Sequence, residues 1–164
     1  MISLRNGLTN SVRNEQSAAI TDRLRELPFP NPNAVASYTS WASEPSTAAI
    51  HQTLQNKGIQ ILVPAGGLQI GWRLLDGNVL PRESLKTAEL VIVPALAVDF
   101  AGTRLGRGAG WYDRMLLHRS PDAILVALLF EGEFLTDQLL PKEEHDIPMD
   151  YVVTPSAVHK INPH

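Results

Sequence analysis

The sequence contains no cysteine among its 164 residues. Disulfide bonds, thiolate nucleophiles and zinc–thiolate centres are therefore excluded. It also has no run approaching the ~20 apolar residues that a membrane-spanning helix needs, and its first residues carry no apolar core of the signal-peptide type. From these absences we expect a cytoplasmic protein with no membrane partner.

An excess of basic residues is also missing. Lysine and arginine total 14 against 17 acidic residues, which gives a formal net charge of −3. Non-specific nucleic-acid binding depends on a basic surface, so we expect no nucleic-acid partner, and any anion site must be built locally. With 44% hydrophobic and 19% charged residues, the composition is that of a globular protein. The length predicts a single domain over residues 1–164.

Two segments have the spacing of amphipathic helices. Ile20, Leu24 and Leu27 fall at positions i, i+4 and i+7 of one helix. A second helix is predicted between Ser46, as its N-cap, and Gly58, as its C-terminal stop. The proline-rich segment between the two helices is predicted to be a connection.

Uninterrupted apolar runs elsewhere in the chain are typical of parallel strands that are covered on both faces. These runs are 59–64, 89–98, 123–130 and 151–155. Strands that alternate with helices predict an α/β fold with right-handed crossovers. In such sheets ligands bind outside the carboxyl ends of the strands.

A glycine-rich segment follows the second of these strands. After Arg104, glycine occupies every second position, at Gly106, Gly108 and Gly110. These glycines can adopt positive φ and let backbone N–H groups converge on one anion. Arg104 and Arg107 can add charge-assisted hydrogen bonds to phosphate oxygens. The segment thus predicts a phosphate-binding loop that leads into a helix.

Asp113 lies on the first turn of that predicted helix. A carboxylate beside phosphates is repelled unless a cation lies between them, so Asp113 is a candidate Mg²⁺ ligand. The same pattern also fits a plain tight turn with solvated arginines, and taken alone it gives both interpretations equal weight. It matches neither the P-loop pattern, which ends in lysine and serine or threonine, nor the dinucleotide fingerprint.

The residues on both sides of this loop identify a protein family more specifically than the glycines alone. The stretch VPALAVDFAGTRLGRGAGWYDRMLLHR, residues 93–119, resembles the signature of the 5-formyltetrahydrofolate cyclo-ligase family, the 5,10-methenyltetrahydrofolate synthetases. Residues 38–64 and 140–155 are similar to two further segments of that family, in the same order along the chain.

The resemblance implies a three-layer α/β/α sandwich around a mainly parallel, Rossmann-like sheet. It also implies an enzyme that uses ATP and Mg²⁺ to convert a reduced folate, 5-formyltetrahydrofolate, into 5,10-methenyltetrahydrofolate, with release of ADP and phosphate. In that reaction the formamide oxygen receives the γ-phosphoryl group, nitrogen 10 closes the ring, and phosphate departs. Such chemistry requires mainly positioning and charge stabilisation. We expect a monomer or weak dimer.

The resemblance further implies three sets of site residues. Those that bind ATP are Arg104, Gly106, Arg107, Gly108, Ala109, Gly110, Trp111 and Tyr112, of which the catalytic ones are Arg104, Arg107 and Tyr112. Those that contact the folate are Glu44, Trp111 and Tyr112, because an aromatic face can stack on a pterin. Those that bind magnesium are Asp113 with a second carboxylate, Asp150 or its close competitor Asp146.

The start of the sequence departs from the family. Family members begin with a helix that carries a lysine and, four residues later, an arginine, both in contact with ATP. Here Arg5 can align with the arginine, but no lysine precedes Lys57. We therefore expect a shortened or truncated first helix. Two alternatives stay open: a non-catalytic folate- or nucleotide-binding homologue, and an ATP-dependent enzyme for a related pterin- or thiamine-like compound.

The remaining histidines, tryptophans and acidic residues are assigned structural or surface roles. His145 lies among acidic residues, but one histidine does not make a transition-metal site, so we expect it to orient or support its segment. We expect surface positions for His51, His118, His159 and His164, packing positions for Trp41 and Trp72, and structural or rim positions for Glu131 and Glu133.

Overall fold

The computed structural model describes residues 2–28, 32–41, 43–66 and 71–161. Its helices are α1 (Ile2–Gly7), α2 (Asn10–Arg23), α3 (Ala48–Asn56) and α4 (Trp111–Leu116), with 3₁₀ turns at Leu24–Glu26 and Arg82–Thr87. Its strands are β1 (Ala34–Ala36), β2 (Gln60–Pro64), β3 (Trp72–Leu74), β4 (Val79–Leu80), β5 (Leu90–Pro94), β6 (Ala97–Asp99), β7 (Arg104–Leu105), β8 (Ile124–Leu128), β9 (Phe134–Leu135), β10 (Tyr151–Val153) and β11 (Val158–Lys160).

Eight of these strands form one sheet, in the order β11-β10-β8-β5-β1-β2-β3-β4. The central strands β10, β8, β5, β1 and β2 are parallel, and β11, β3 and β4 add antiparallel edges. A second sheet joins β7, β6 and β9. The predicted α/β fold with a mainly parallel sheet is therefore confirmed.

The residues of the central strands pack alternately on the two faces of the large sheet. In β5, Val91 and Val93 belong to one apolar cluster, which α4 covers with Met115. Leu90 and Ile92 belong to the other cluster, which α2 and α3 cover. Burying one such side chain contributes about 1.5–3 kcal/mol, so neither face of the sheet is left without a layer. This arrangement is the expected α/β/α sandwich.

The two predicted helices are present, with small differences at their ends. Ile20 and Leu27 are buried, but α2 ends at Arg23, so Leu24 begins the 3₁₀ turn and Leu27 follows that turn in an extended conformation. The helix α3 begins at Ala48 with Thr47 at its cap position, although the Ser46 hydroxyl accepts a hydrogen bond from the Ala48 N–H at 3.4 Å. Gly58 has a φ of 72°, a conformation that suits glycine after a helix, and the chain turns there into β2.

The prediction that FPNPNAVA, residues 29–36, is a mere connection is wrong for its last three residues. Ala34, Val35 and Ala36 form β1, which pairs in parallel with both β2 and β5 at the centre of the sheet. Three residues, two of them alanine, are too few to show a strand pattern. The strand exists because two longer neighbours pair with it, and that information is not local.

The long apolar run at 89–98 also divides in a way that its pattern does not show. Its first part is β5, which ends at Pro94, and its last part is β6, which belongs to the smaller sheet. The Leu96 N–H donates to the carbonyl of Leu105, so the chain has already left the large sheet two residues after Pro94. The division places the start of the glycine-rich loop beside the end of β5.

Burial corrects two of the expected surface and packing positions. His51 is only 5% exposed, and its Nε2 lies 2.9 Å from the hydroxyl of Ser37. Trp41 is 70% exposed, whereas Trp72 is fully buried, as expected. Glu131 is exposed and Glu133 is buried. His164 lies outside the described residues. Within those residues, no helix has the length and apolarity to cross a bilayer.

The buried histidine predicts how stability depends on pH. Burial lowers the pKa of His51 from its ordinary value of 6.5. The unfolded chain then binds more protons than the folded chain below that pH, so the free energy of unfolding should fall as the pH decreases from 7 to 5.5. Urea unfolding of the wild type and of His51→Gln measures this, since glutamine can still bond to Ser37. An equal fall in both proteins would contradict the prediction.

Candidate active site

A cavity of about 320 Å³ opens at the carboxyl ends of β2 and β5. Its walls include the prolines that end these strands, Pro64 and Pro94, together with Glu44. The rest of the lining includes nearly every predicted loop residue: Arg104, Gly106, Arg107, Gly108, Ala109, Gly110, Trp111, Tyr112 and Asp113. The structure therefore brings together the residues that the sequence assigned to ATP and folate, at the edge of the sheet where α/β proteins bind ligands.

The glycine-rich loop is anchored by a buried turn before it. The Asp99 carboxylate accepts hydrogen bonds from the N–H groups of Ala101 and Thr103 at 3.0 and 2.8 Å. The turn reverses the chain, so that β7 pairs with β6 and Arg104 points back toward β5. There one guanidinium nitrogen donates to the carbonyl of Pro94 at 3.3 Å. Arg104 is thus fixed at the base of the loop.

The three loop glycines serve two different purposes. Gly108 and Gly110 have φ values of 86° and 60°, the positive region that favours glycine. Gly106 does not share that conformation, which corrects the expectation of positive φ at all three. A Cβ at Gly106 would lie 2.7 Å from a guanidinium nitrogen of Arg104, so a larger residue there would displace the arginine from its place against the loop. At Gly108 a Cβ would meet nothing within 4 Å, so its backbone faces open space.

The charged side chains of the cavity form ion pairs. Arg104 Nη2 lies 2.7 Å from Asp113 Oδ1, and Arg107 Nε lies 3.4 Å from Glu44 Oε1. The other carboxylate oxygen of Glu44 accepts the N–H of Trp41 at 2.9 Å, and the Arg107 guanidinium lies 5.3 Å from the Trp41 ring. The residues predicted to bind phosphate, metal and folate are therefore direct neighbours.

Two aromatic residues, Trp111 and Tyr112, line the cavity, and the buried ring of Trp72 packs behind them. Trp111 packs edge-to-face against Trp72 and Tyr112, with ring centroids 5.1 and 4.8 Å apart. The hydroxyl of Tyr112 is buried and has no hydrogen-bond partner within the described part of the chain. Burial, reinforced by the Glu44 carboxylate and opposed by Arg104, raises the pKa of Tyr112 far above its usual value. The phenol therefore keeps its proton and is available as a hydrogen-bond donor.

A buried ion pair completes the cavity on the side of the first helix. Arg5, on α1, is 1% exposed, lines the cavity, and bonds through Nε and Nη2 to the carboxylate of Glu133 at 2.6 and 2.7 Å. The sequence suggested Arg5 only through the family alignment and placed Glu133 at a structural or rim position. No local pattern joins two residues that are 128 positions apart.

The comparisons with known proteins agree with this geometry. The sequence model of the 5-formyltetrahydrofolate cyclo-ligase family matches residues 69–155. A 5-formyltetrahydrofolate cyclo-ligase of Mycolicibacterium smegmatis is 32% identical, over 94% of this chain and 90% of its own length. The chain belongs to the 5-formyltetrahydrofolate cyclo-ligase family. The family predicted from the three sequence segments is thereby confirmed.

Solved structures of this family share the fold. The 5,10-methenyltetrahydrofolate synthetase of Aquifex aeolicus superposes with a TM-score of 0.79 and 22% identity, over 99% of this chain and 89% of that protein. The synthetase of Mycoplasma pneumoniae gives a TM-score of 0.78 and 17% identity, over 93% of each chain. These structural similarities show that the chain has the three-layer fold of these two synthetases.

The second carboxylate predicted for magnesium does not lie beside the first. Asp150 precedes β10, and its Oδ2 accepts the N–H of Leu125 at 2.8 Å. Leu125 is opposite Val91 in the sheet, three residues before Pro94, so Asp150 lies at the other edge, about 10 Å away along the strands. This placement corrects the pairing of Asp150 with Asp113.

The competitor, Asp146, is also occupied locally. Its Oδ2 accepts the N–H of Glu143 at 2.8 Å, which closes a short turn beside His145. His145 itself lies on the surface, 3.3 Å from Glu143. Neither Asp146 nor Asp150 is among the residues that line the cavity. Across the described ranges no three histidine, aspartate or glutamate side chains gather closely enough to hold a metal ion.

The position of Asp150 yields a test that separates stability from ligand binding. Replacing it in Asp150→Ala removes the acceptor for the Leu125 N–H, so the free energy of unfolding should fall by about 1 kcal/mol. The apparent affinities for ATP and Mg²⁺ should stay within about twofold of the wild type, because the carboxylate lies at the far edge of the sheet. A large loss of magnesium affinity in a folded variant would contradict this placement.

Proposed function

We propose that this chain converts 5-formyltetrahydrofolate into 5,10-methenyltetrahydrofolate with cleavage of ATP to ADP and phosphate, the phosphate carrying away the formyl oxygen. The observation that carries the proposal is one cavity in which a glycine-rich loop, three arginines and two carboxylates lie beside aromatic rings, in a member of the cyclo-ligase family. Its cytoplasmic location and its monomeric or weakly dimeric state stay predictions from the sequence.

The loop fits the phosphates of ATP. Arg104 and Arg107 flank it, Gly108 and Gly110 both line the cavity, and the backbone at Gly108 faces open space. Guanidinium groups match phosphate oxygens in pairs of hydrogen bonds, and convergent N–H groups add an anion site. Arg5 supplies a third guanidinium to the cavity lining, and its buried Nη1 has no partner among the residues that the structure describes. These groups would hold the transferred phosphoryl group and stabilise its charge.

Asp113 fits a magnesium ion that arrives with the nucleotide. Magnesium usually takes one or two carboxylates and completes its octahedral shell with phosphate oxygens and water. One carboxylate is enough for this, and Asp113 lies beside the loop, 2.7 Å from Arg104. The ion would supply charge neutralisation between the phosphates. Asp113 would hold it in place and would exchange its arginine partner for the cation.

The aromatic side of the cavity fits the folate. Glu44 carries two acceptor oxygens at the rim, one near Arg107 and one on the Trp41 N–H. The protonated hydroxyl of Tyr112 lacks an acceptor and can donate to an oxygen of the substrate. A donor at the formyl oxygen or at the transferred phosphoryl group would stabilise the negative charge that develops there. Trp111 gives the pterin an apolar wall.

The first test is turnover, followed by the absorbance of the methenyl product with 5-formyltetrahydrofolate and Mg-ATP. We expect turnover in the wild type and at least about a hundredfold lower kcat in Asp113→Asn, the loss typical when one preorganised charge is removed. Asp122→Asn, an exposed aspartate after α4, is the matched control and should keep the wild-type rate. A normal rate in Asp113→Asn would refute the role of that carboxylate.

The same assay separates the alternatives. Binding of ATP by the wild type without any methenyl product would identify a non-catalytic homologue. ATP hydrolysis that depends on another pterin- or thiamine-like compound, and not on the formyl folate, would identify a different substrate.

The second test concerns the loop arginine. Replacing Arg107 by alanine should weaken the apparent affinity for ATP by roughly 1.5–3 kcal/mol, the contribution of hydrogen bonds to charged groups, which is about ten- to a hundredfold. Arg82→Ala removes an exposed arginine that does not line the cavity, and its ATP affinity should not change. Equal affinities in both variants would count against a phosphate role for Arg107.

A further inference from the structure

The guanidinium of Arg5 is only partly used by the protein. Its Nε donates to Glu133 Oε1, and its Nη2 donates both to Glu133 Oε2 and to the carbonyl of Ala95. The remaining nitrogen, Nη1, is buried and has no partner among the described residues. A buried donor without an acceptor is unfavourable, and Arg5 is part of the cavity wall. Nη1 is therefore suited to an anionic ligand.

Glu133 holds this guanidinium in one orientation. Its carboxylate binds the arginine side-on through two nitrogens, and Oε2 also accepts the N–H of Phe130 at 2.9 Å. That third bond ties the carboxylate to the backbone at the end of β8. The ring of Phe130 covers the guanidinium, with Cζ 5.6 Å from the ring centroid. The hydrogen bonds from Nε and Nη2 and the contact with the Phe130 ring thus fix the orientation of the guanidinium plane.

We propose that Glu133 is a positioning residue for nucleotide binding: it fixes Arg5 so that Nη1 meets a phosphate oxygen of bound ATP. Glu133 is not among the residues that line the cavity, so it acts through Arg5. Because its charge cancels that of Arg5, the pair contributes directed N–H groups and no net charge. This inference rests on the proposed function.

The variant Glu133→Gln separates positioning from charge by the sign of its effect. Removing the carboxylate adds one positive charge beside the cavity, and a purely electrostatic role would then tighten phosphate binding. A glutamine also has one oxygen where three N–H groups need acceptors, and its amide would face a donor. Arg5 would lose its fixed orientation, and a positioning role predicts weaker binding. A merely structural role predicts lower stability with unchanged affinity.

The experiment measures the affinity for a non-hydrolysable ATP analogue by calorimetry, together with KM for ATP and kcat. We expect about tenfold weaker analogue binding in Glu133→Gln and in Arg5→Lys, which keeps the charge but loses the planar fork. The double variant should be no weaker than Arg5→Lys alone, because Glu133 acts through Arg5. Glu26→Gln, in the exposed pair with Arg23, is the matched control and should bind as the wild type does.

Tighter or unchanged binding in a folded Glu133→Gln would overturn the inference, and so would losses that add in the double variant. Thermal unfolding of each variant shows whether it is folded. If Glu133→Gln does not fold, Arg5→Lys takes its place, and unchanged affinity there also overturns the inference. A wild type that binds the analogue but gives no methenyl product would refute the proposed function and leave the affinity comparison intact. A wild type that binds no nucleotide would overturn both.

Discussion

Mutual repulsion of positive charge is the constraint on which the cavity depends. Three arginines lie around a space of about 320 Å³, and each one is paired with a carboxylate: Arg5 with Glu133, Arg104 with Asp113, and Arg107 with Glu44. The pairs differ in burial. The side chains of the first are 1% and 5% exposed, those of the second 8% and 29%, and those of the third 36% and 13%. An exposed pair contributes about 0.2–1 kcal/mol, whereas breaking a buried one costs about 3–5 kcal/mol. Breaking the innermost pair would therefore cost the most, and the outermost pair would exchange its partners for a ligand most readily.

The sequence predicts the parts of this site that are contiguous. The apolar strand before Pro94, the alternating glycines and the helix that begins at Trp111 are neighbours in the chain, so periodicity and family resemblance both find them. The ion pair of Arg5 with Glu133 and the position of Glu44 depend on the order of strands in the sheet. So does β1, whose three residues become a strand only between β2 and β5. Pairings of this kind cannot be read from any local window.

Strand direction explains why Asp113 lines the cavity and Asp150, one of the two further metal candidates, does not. Asp113 comes after the strand β5, and Asp150 comes immediately before the strand β10. In a parallel sheet, residues after strands gather at one edge and residues before strands gather at the opposite edge. The apolar run that starts at Tyr151 already places Asp150 at the amino end, so the sequence held the signal that separates the two aspartates. The prediction of Asp150 as a metal ligand followed the resemblance of residues 140–155 to the family and not this position before a strand.

In the proposed reaction the outermost pair would connect the two substrates. Glu44 comes from the segment between β1 and α3, and Arg107 from the glycine-rich loop, so their contact would join the proposed folate site to the proposed phosphate site. If phosphate oxygens bind Arg107, the Glu44 carboxylate loses its ion pair. Its hydrogen bond from the Trp41 N–H would still hold the carboxylate in place. A partly buried carboxylate without a cation is unfavourable unless it accepts hydrogen bonds, and the N–H groups of a pterin can donate them. Nucleotide bound first would therefore raise the affinity for folate, and by linkage folate would raise the affinity for nucleotide by the same factor.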